Sequence, residues 1–350
     1  MKALVAMSGG VDSSVAAALM KDEGHEVIGV TLKLWSGPGG EAPTAGCCTV
    51  SDAEDARRVA AELGIAYYVL DYTDDFKDGV VDHFIHDYAS GQTPNPCIEC
   101  NRTVKFDRLL GRLDEFDTDV LVTGHHARVS EEDGVFSLLR GTDNAKDQSY
   151  VLSMLTQSQL SRVRLPVGEL TKPQVRRIAA SMGMRSAHKP ESMDICFVGQ
   201  GDYRSFLQTE APEVFEPGPL IDTDGNELGR HSGIVGFTVG QRRGLGVAVG
   251  EPKFVIDIQP TTATVVVGGR EALSVDGVQL DKITWTSAAP MTDNLMVQYR
   301  AHGEPVPAKL EDDALWFAEP QQAIARGQTI AFYDGDRVQG GALIAGVHRR

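Results

Sequence analysis

The sequence predicts an α/β protein: a doubly wound parallel sheet followed by smaller β-rich domains, the last of them barrel-like. Two observations carry this. From residue 1 to about residue 70, apolar runs of strand length alternate with amphipathic stretches of helix length, the pattern of parallel strands joined by crossover helices. Beyond about residue 201 the chain changes to short β-like runs separated by Gly, Pro and Asp. At 350 residues two or three domains are expected, and the division we expect is 1-200, 201-273 and 274-350.

The elements follow in order. KALVAM (2–7) reads as the first strand, VDSSVAAALMKDEG (11–24) as a helix, EVIGVTLKLW (26–35) as a strand, SDAEDARRVAAELG (51–64) as a helix and IAYYVLDY (65–72) as a strand. DVLVTGHHARV (119–129) reads as another strand, ending at Gly124, and residues 171–182 as another amphipathic helix. A sheet of this kind takes its ligand at the carboxyl ends of its strands. GPLIDTDGNELGRHSG, FVIDIQPTTATVVVG and TIAFYDGDRVQGGALIAGV supply the β-rich remainder.

Composition excludes several classes. No apolar run approaches the roughly 20 residues needed to cross a bilayer, and MKALVAMSGG runs into glycines instead of a signal-peptide cleavage site. Five cysteines (an adjacent pair Cys47 and Cys48, the C-x-x-C of Cys97 and Cys100, and Cys196) make no obvious disulfide framework in a chain this long. Reduced thiols in a cytoplasmic protein are expected. A formal net charge of -16 opposes generic affinity for a phosphate backbone, so contact with RNA has to use local basic patches.

The sharpest motif is SGGVDSS at residues 8–14, between an apolar strand and an Ala-rich helix. Gly9 and Gly10 let the backbone turn tightly around an anion, and Ser13, Ser14 and the helix-start amides can donate to phosphate oxygens. Asp12 repels a bare phosphate, which calls for a divalent mediator such as Mg2+. A glycine-rich cap that binds nothing is the bland alternative. No G-x-x-x-x-G-K-[ST] occurs. SGGVDSS instead resembles the pyrophosphatase (PP) loop of enzymes that cut ATP between its α and β phosphates and attach AMP to a substrate oxygen. The resemblance implies ATP phosphates held by Ala6, Met7, Ser8, Gly9, Gly10, Val11, Asp12 and Ser13, adenine beside Leu32, and a nucleotide bordered by Gly124. From spacing, Leu32 is equally well a core residue.

In PNPCIECNRTVKFDRLL, Pro94 and Pro96 precede a helix whose apolar face is Val104, Leu109, Leu110 and Leu113, so Cys100 and Asn101 are expected at its start. There the unpaired amides, Arg102 and Lys105 favour a thiolate. A structural zinc or a buried pair is the alternative, and a second C-x-x-C at zinc spacing is missing. Cys196, in HKPESMDICFVGQGDY, lies between an apparent strand and a Gly-rich turn, and a lone cysteine is usually core.

The ordered set SGGVDSS, TPNPCIECN, VTGHHARV, KDQSYVL, KPESMDICFVG and GQRRGLG resembles the bacterial tRNA-specific 2-thiouridylase family over essentially the whole chain. The resemblance implies ATP-dependent adenylation of the C2 oxygen of a wobble uridine in the tRNA anticodon loop, then its replacement by sulfur. Cys100 matches the nucleophile and Cys196 the persulfide carrier, with a transient disulfide between them and a protein that donates the sulfur. Asn95, Pro96, Cys97, His125, Lys146, Asp147, Gln148, Tyr299, Arg300 and Gln328 match positions that meet the tRNA or the target base. Asp147 or Ser149 can equally cap the YVLSML helix, and His125 can be a core histidine. Two departures stand out. Cys97 occupies a place where some relatives carry Asp, and Gln298 one where relatives often carry Arg, which weakens a phosphate contact there.

Reaching a wobble base requires splaying it into a pocket. Arg102, Lys105, Arg108, Lys172, Arg176, Arg177, Arg242 and Arg243 are candidates to line the path, or else are solvated charges. Three alternatives remain: an iron-sulfur cluster on Cys97, Cys100 and Cys196, an adenylating amidotransferase or ligase with passive cysteines, and a tRNA-binding module without catalysis.

Overall fold

The computed structural model describes residues 1–36, 49–189, 195–198, 202–246, 251–286 and 294–349. Cys47, Cys48 and residues 190–194 and 199–201 on either side of Cys196 lie outside the described residues.

The first sheet is β1 (Lys2–Ala6), β2 (Glu26–Lys33), β3 (Ala66–Asp71), β4 (Val120–Val122) and, after a hairpin of β5 (Ala127–Glu132) and β6 (Val135–Arg140), β7 (Val163–Arg164). Its strands are parallel in the order β3-β2-β1-β4-β7. Helix α1 (Val11–Asp22) follows β1, and α2 (Val50–Leu63) is started by a Thr49–Asp52 capping box and stopped by Gly64 at φ 64°. Along β1, Ala3 and Val5 pack with α1 and α2 on one face, whereas Leu4 joins the aromatic core of Phe76, Phe84 and Phe106 on the other. Burial on both faces is why the strand reads as a nearly unbroken apolar run. Strand order reverses between β1 and β4, which opens the crevice at their carboxyl ends.

The strand expected to end at Gly124 stops at Val122, and residues 127–129 begin β5 in a different sheet. The chain leaves the sheet early because the backbone at Gly124 packs on the first turn of α1: a Cβ there would lie 2.6 Å from the Ser13 amide nitrogen.

A second sheet, β8 (Gly218–Ile221), β9 (Glu227–His231), β10 (Phe254–Gln259) and β11 (Thr264–Gly268), has the order β10-β11-β8-β9. The third comprises β12 (Ser274–Trp285), β13 (Asn294–Gln298), β14 (Val306–Glu311), β15 (Ala314–Gln322), β16 (Thr329–Asp334) and β17 (Arg337–His348). It closes into a six-stranded antiparallel barrel because β12 pairs with both β15 and β17. Val275, Val278, Leu295, Val297, Phe332 and Ile344 fill it.

The β5–β6 hairpin leaves the first sheet and pairs with β17, Leu139 opposite Arg337 and Leu138 opposite Val338. Arg140 locks the joint. Its guanidinium donates to Asp147 Oδ2 (2.9 Å) and Gln298 Oε1 (3.1 Å) and lies 3.9 Å from the centre of the Tyr333 ring. Asp147 also accepts from the amides of Gly141 and Ser149 and from the Ser149 hydroxyl. Gln298 is therefore no phosphate contact. It is buried, its amide group donates to the carbonyls of Arg300 and Ala301, and an arginine there would face Arg140. A second joint lies at Thr93, whose amide donates to the Arg326 carbonyl (2.7 Å), while Gly327 packs on Gln92 so closely that a Cβ would sit 2.8 Å from the Gln92 Cβ.

Replacing Arg140 by Met leaves Asp147, with 7% side-chain exposure, as an unpaired buried charge; a loss of about 3 kcal/mol is expected. Urea unfolding checks it, and a change within about 0.5 kcal/mol would show that the pair holds nothing together.

Candidate functional site

The loop from Ser8 to Gly10 is shaped from within. The Ser8 amide donates to Ser13 Oγ (3.1 Å), and the Ser13 and Ser14 hydroxyls donate to the Gly10 carbonyl. Gly9 takes φ +71°, and a Cβ on it would lie 2.3 Å from the Asp52 carbonyl oxygen. Gly10 caps α1 without a side-chain acceptor, so no side chain caps the first-turn amides, and they face the crevice as an anion cradle.

Around this loop lies a cavity of about 310 Å³, lined by residues from the ends of β1, β2 and β4 and by side chains reaching in from elsewhere. Ala6, Met7, Ser8, Gly10, Val11, Asp12, Ser13, Leu32 and Gly124, expected to hold ATP, all line it; Gly9 acts from behind through its turn. Leu32 is both core and lining, at 8% exposure. Of the expected tRNA positions, His125, Lys146 and Gln148 line the same cavity, with the Gln148 side-chain oxygen accepting from the His126 amide. Asp147 turns inward to Arg140. Tyr299, Arg300 and Gln328 are on the barrel: the Tyr299 hydroxyl donates to Gln321 (3.0 Å), the exposed Arg300 lies over the Tyr299 ring, and Gln328 accepts from the Ala325 amide.

The charge of the cavity is opposite to that of the chain. Lys105, Lys146, Lys172 and Lys189 line it, against Asp12 and Asp52. Lys172 Nζ holds both Asp12 oxygens (2.8 and 2.6 Å), and His126 Nε2 is 3.0 Å from Asp12 Oδ1. Burial works to raise the Asp12 pKa, but the hydrogen bonds from His126 and Lys172 prevail and hold it below its ordinary value. Lys172 thus offsets the repulsion expected between Asp12 and a phosphate. Lys189 Nζ joins Asp52 (2.6 Å), Asp55 (2.9 Å) and the Gly9 carbonyl (3.3 Å), tying the start of α2 to the loop. His125 donates to or accepts from Thr123 Oγ1 (2.7 Å). Burial, then the charge of Lys105, push its pKa well below the usual histidine value.

The cysteine helix differs from expectation. It begins at Pro96, capped by Asn95, whose Oδ1 accepts from the amides of Cys97 and Ile98, and Pro96–Glu99 runs into a widened π-type helix, Cys100–Leu109. Cys97, not Cys100, is in the first turn, and the Cys100 amide donates inside the helix to Pro96 and Cys97 carbonyls. The early start follows from Asn-Pro, an N-cap residue followed by a proline preset for the first helical position. Cys100 is buried, Cys97 exposed and Cys196 half-buried. The same helix sends Lys105 into the cavity and sets Phe106 against His125, ring centres 6.1 Å apart. Cys196 lies in a turn and is seated by Phe197, which packs on Phe84 (5.2 Å) and Phe206 (5.0 Å) in the core that also contains Cys100; the strand expected before it falls on residues 190–194, outside the described residues. Among the described residues no three His, Cys, Asp or Glu gather as metal ligands, so Cys97, Cys100 and Cys196 do not form a preset cluster site.

Of the expected RNA-path cations, Lys105 and Lys172 line the cavity. Arg102 pairs with Glu99, Arg108 with Asp75 (3.3 Å), and Arg176 donates to the carbonyls of Ala187 and Lys189. Arg177, Arg242 and Arg243 are exposed.

Comparison with known proteins adds an independent line. Three family models match in succession: the tRNA methyl transferase HUP domain over residues 1–200, the tRNA methyl transferase PRC-barrel domain over 204–269 and the aminomethyltransferase beta-barrel domain over 275–344. The tRNA-specific 2-thiouridylase MnmA of Chloroflexus aggregans is 48% identical over 350 residues, 98% of this chain and 98% of that one. The chain belongs to the tRNA-specific 2-thiouridylase family. The 2-thiouridylase of Roseiflexus castenholzii is 45% identical over 369 residues, covering 98% of this chain and 99% of that one, and the one from Chloroflexus aurantiacus is 47% identical over 350 residues.

In this 2-thiouridylase family member, sequence reasoning missed Lys189, Asp52, Asp55 and His126. The pair His125-His126 offered a choice of two rings, and Lys189 carries no local signal, since its partners lie 134 to 137 residues away.

Gly9→Ala should leave the far-UV signature intact and weaken ATP binding by about tenfold or more, because the new Cβ meets backbone and φ is left-handed. Calorimetric titration with ATP reads it; wild-type affinity would refute the cradle. His125 should stay uncharged through the pH range where an ordinary histidine gains its proton, since its pKa is lowered. Its imidazole NMR resonances are expected to show no step near pH 6.5.

Proposed function

We propose that this chain is an ATP-dependent tRNA 2-thiouridylase that thiolates the wobble uridine of the anticodon loop. The observation that carries this is the lysine-lined cavity over an uncapped helix start, in a chain of net charge -16, adjoined by a helix bearing Cys100. The proposed division of labour is 1-200 for adenylation and thiolation, 201-273 as a central domain and 274-350 as a barrel that meets the tRNA.

A uracil C2 carbonyl is a poor electrophile, because both ring nitrogens feed it. Attack of its O2 on the α-phosphate of ATP converts that oxygen into a leaving group and releases pyrophosphate. The first-turn amides of α1, with Lys172 and Lys189, bind the phosphates, while Leu32 and Gly124 bound the nucleotide. Mg2+ would arrive with the phosphates, and the Asp12 carboxylate beside the loop would help hold it; bound there it would neutralise charge building on the pyrophosphate. Neutral His125, held by Thr123, presents a ring with no charge to compete for the phosphates.

Sulfur reaches C2 from a persulfide on Cys196. Cys100 takes the inner sulfur as the S–S bond breaks, leaving a Cys100–Cys196 disulfide, and AMP departs. A persulfide-donating protein loads Cys196. His125, Lys146, Gln148, Tyr299, Arg300 and Gln328 are the proposed tRNA contacts, and Asp147 acts through Arg140 to position its neighbours. No step passes through an iron-sulfur cluster.

Unmodified tRNA, ATP, Mg2+ and a persulfide donor should yield 2-thiouridine with this protein. Cys100→Ser and Cys196→Ser should each lose about a thousandfold or more of that product while pyrophosphate release persists. Nucleoside mass spectrometry decides. Product formation undiminished in both variants would sink the cysteine chemistry in favour of an amidotransferase-like ligase.

A further inference from the structure

The proposed reaction ends with Cys100 and Cys196 joined, and a second turnover requires two electrons from outside. Disulfide exchange needs a thiolate to reach a sulfur atom. Cys100 is 7% exposed, enclosed by the core of Ile98, Val104 and Phe106, and Cys196 is half-buried against that core beside Phe197. A bond between them is shielded from a bulky protein dithiol. Three residues before Cys100, on the same helix, Cys97 is exposed. Residues three apart on a helix have Cβ atoms about 5–6 Å apart, and C-x-x-C is the spacing at which thiol–disulfide exchange is run at helix starts. The target-base assignment of Cys97 rests on resemblance to relatives, some of which carry Asp there. The cavity's lining does not include it.

Resting on the thiolation reading above, we propose that Cys97 is a relay thiol that carries the oxidising equivalent from the buried Cys100–Cys196 disulfide to the surface. The Cys97 thiolate attacks Cys100 Sγ; the Cys100–Cys196 bond breaks, the Cys97–Cys100 bond forms, and Cys196 leaves as a thiolate that takes up a proton. No net electrons move in that exchange. An external dithiol then attacks exposed Cys97 Sγ, is itself oxidised to a disulfide, and releases Cys97 and Cys100 as thiols. One dithiol is consumed per thiouridine, and Cys196 is available for reloading one step before the reductant acts.

The test uses the full chain with ATP, Mg2+, unmodified tRNA, a persulfide donor and a thioredoxin-type dithiol protein as sole reductant. Reactions are quenched with an alkylating agent for disulfide mapping. Wild type after one turnover without reductant should carry Cys97–Cys100. Cys97→Ser should make a burst near one thiouridine per enzyme, then turn over at least about tenfold more slowly, stalled as Cys100–Cys196. A small phosphine, able to enter where a protein is excluded, should restore its cycling. Sustained wild-type turnover by Cys97→Ser, or a mapped Cys100–Cys196 bond alone in the wild type, overturns the relay. So does loss of the burst itself, which would put Cys97 in the thiolation step. Thiolation by wild type that leaves neither disulfide would instead bring down the reading on which the relay rests.

Discussion

The carboxylate of Asp12, in the first turn of α1, accepts from Lys172 Nζ with both oxygens and faces His126 Nε2 with one. These three side chains come from the helix after β1, the loop after β4 and a helix some 160 residues beyond Asp12. An acidic residue at a helix start is favoured by the dipole, yet it also sits where an anion is to be bound. The lysine resolves that conflict, because the pair leaves the helix-start amides facing the cavity without an uncompensated negative charge beside them. Lys189 repeats the device on the other side of the loop with Asp52 and Asp55. The cradle is therefore held open by ion pairs that reach across the fold, and the remaining lysines give a strongly acidic chain one basic interior.

The cysteine helix depends on that arrangement through Lys105 and Phe106 and on the barrel through the segment before it. Thr93 and Gln92 rest on Arg326 and Gly327, next to Gln328, while Arg326 also donates to the Ile258 carbonyl of the second sheet. The loop that leads into Asn95, Pro96 and Cys97 is thus gripped by two other parts of the molecule. A displacement of the barrel surface has a short path to the thiols, because Thr93 meets the barrel backbone to backbone and Gly327 packs directly on Gln92.

Much of this was legible in the sequence where the signal is local. The parallel sheet followed from apolar runs buried on both faces, and SGGVDSS from glycines that only a tight anion-facing turn requires. The KDQ segment, by contrast, reads as three equivalent polar residues. In the structure Lys146 and Gln148 face the cavity and Asp147 faces Arg140, because the chain turns there and alternates their directions. The start of the cysteine helix was misplaced by four residues because the apolar face was weighed over the Asn-Pro cap. Nothing in FSLLR announces that β6 would pair with β17, since its partner strand is remote and the edge it covers exists only once the barrel has closed.

That pairing sets the order in which the molecule is completed. Leu139 and its partner Arg337 are separated by roughly two hundred residues of chain, and at typical synthesis rates of about 5–20 residues per second the hairpin waits on the order of ten to forty seconds for β17 to emerge from the ribosome. For most of that interval Arg140 has neither Gln298 nor Tyr333, and the edge of β6 is open to any passing strand. The nucleotide-binding half is thus unfinished until the barrel's final strand is in place, which delays the assembled thiol chemistry until the barrel itself has been made.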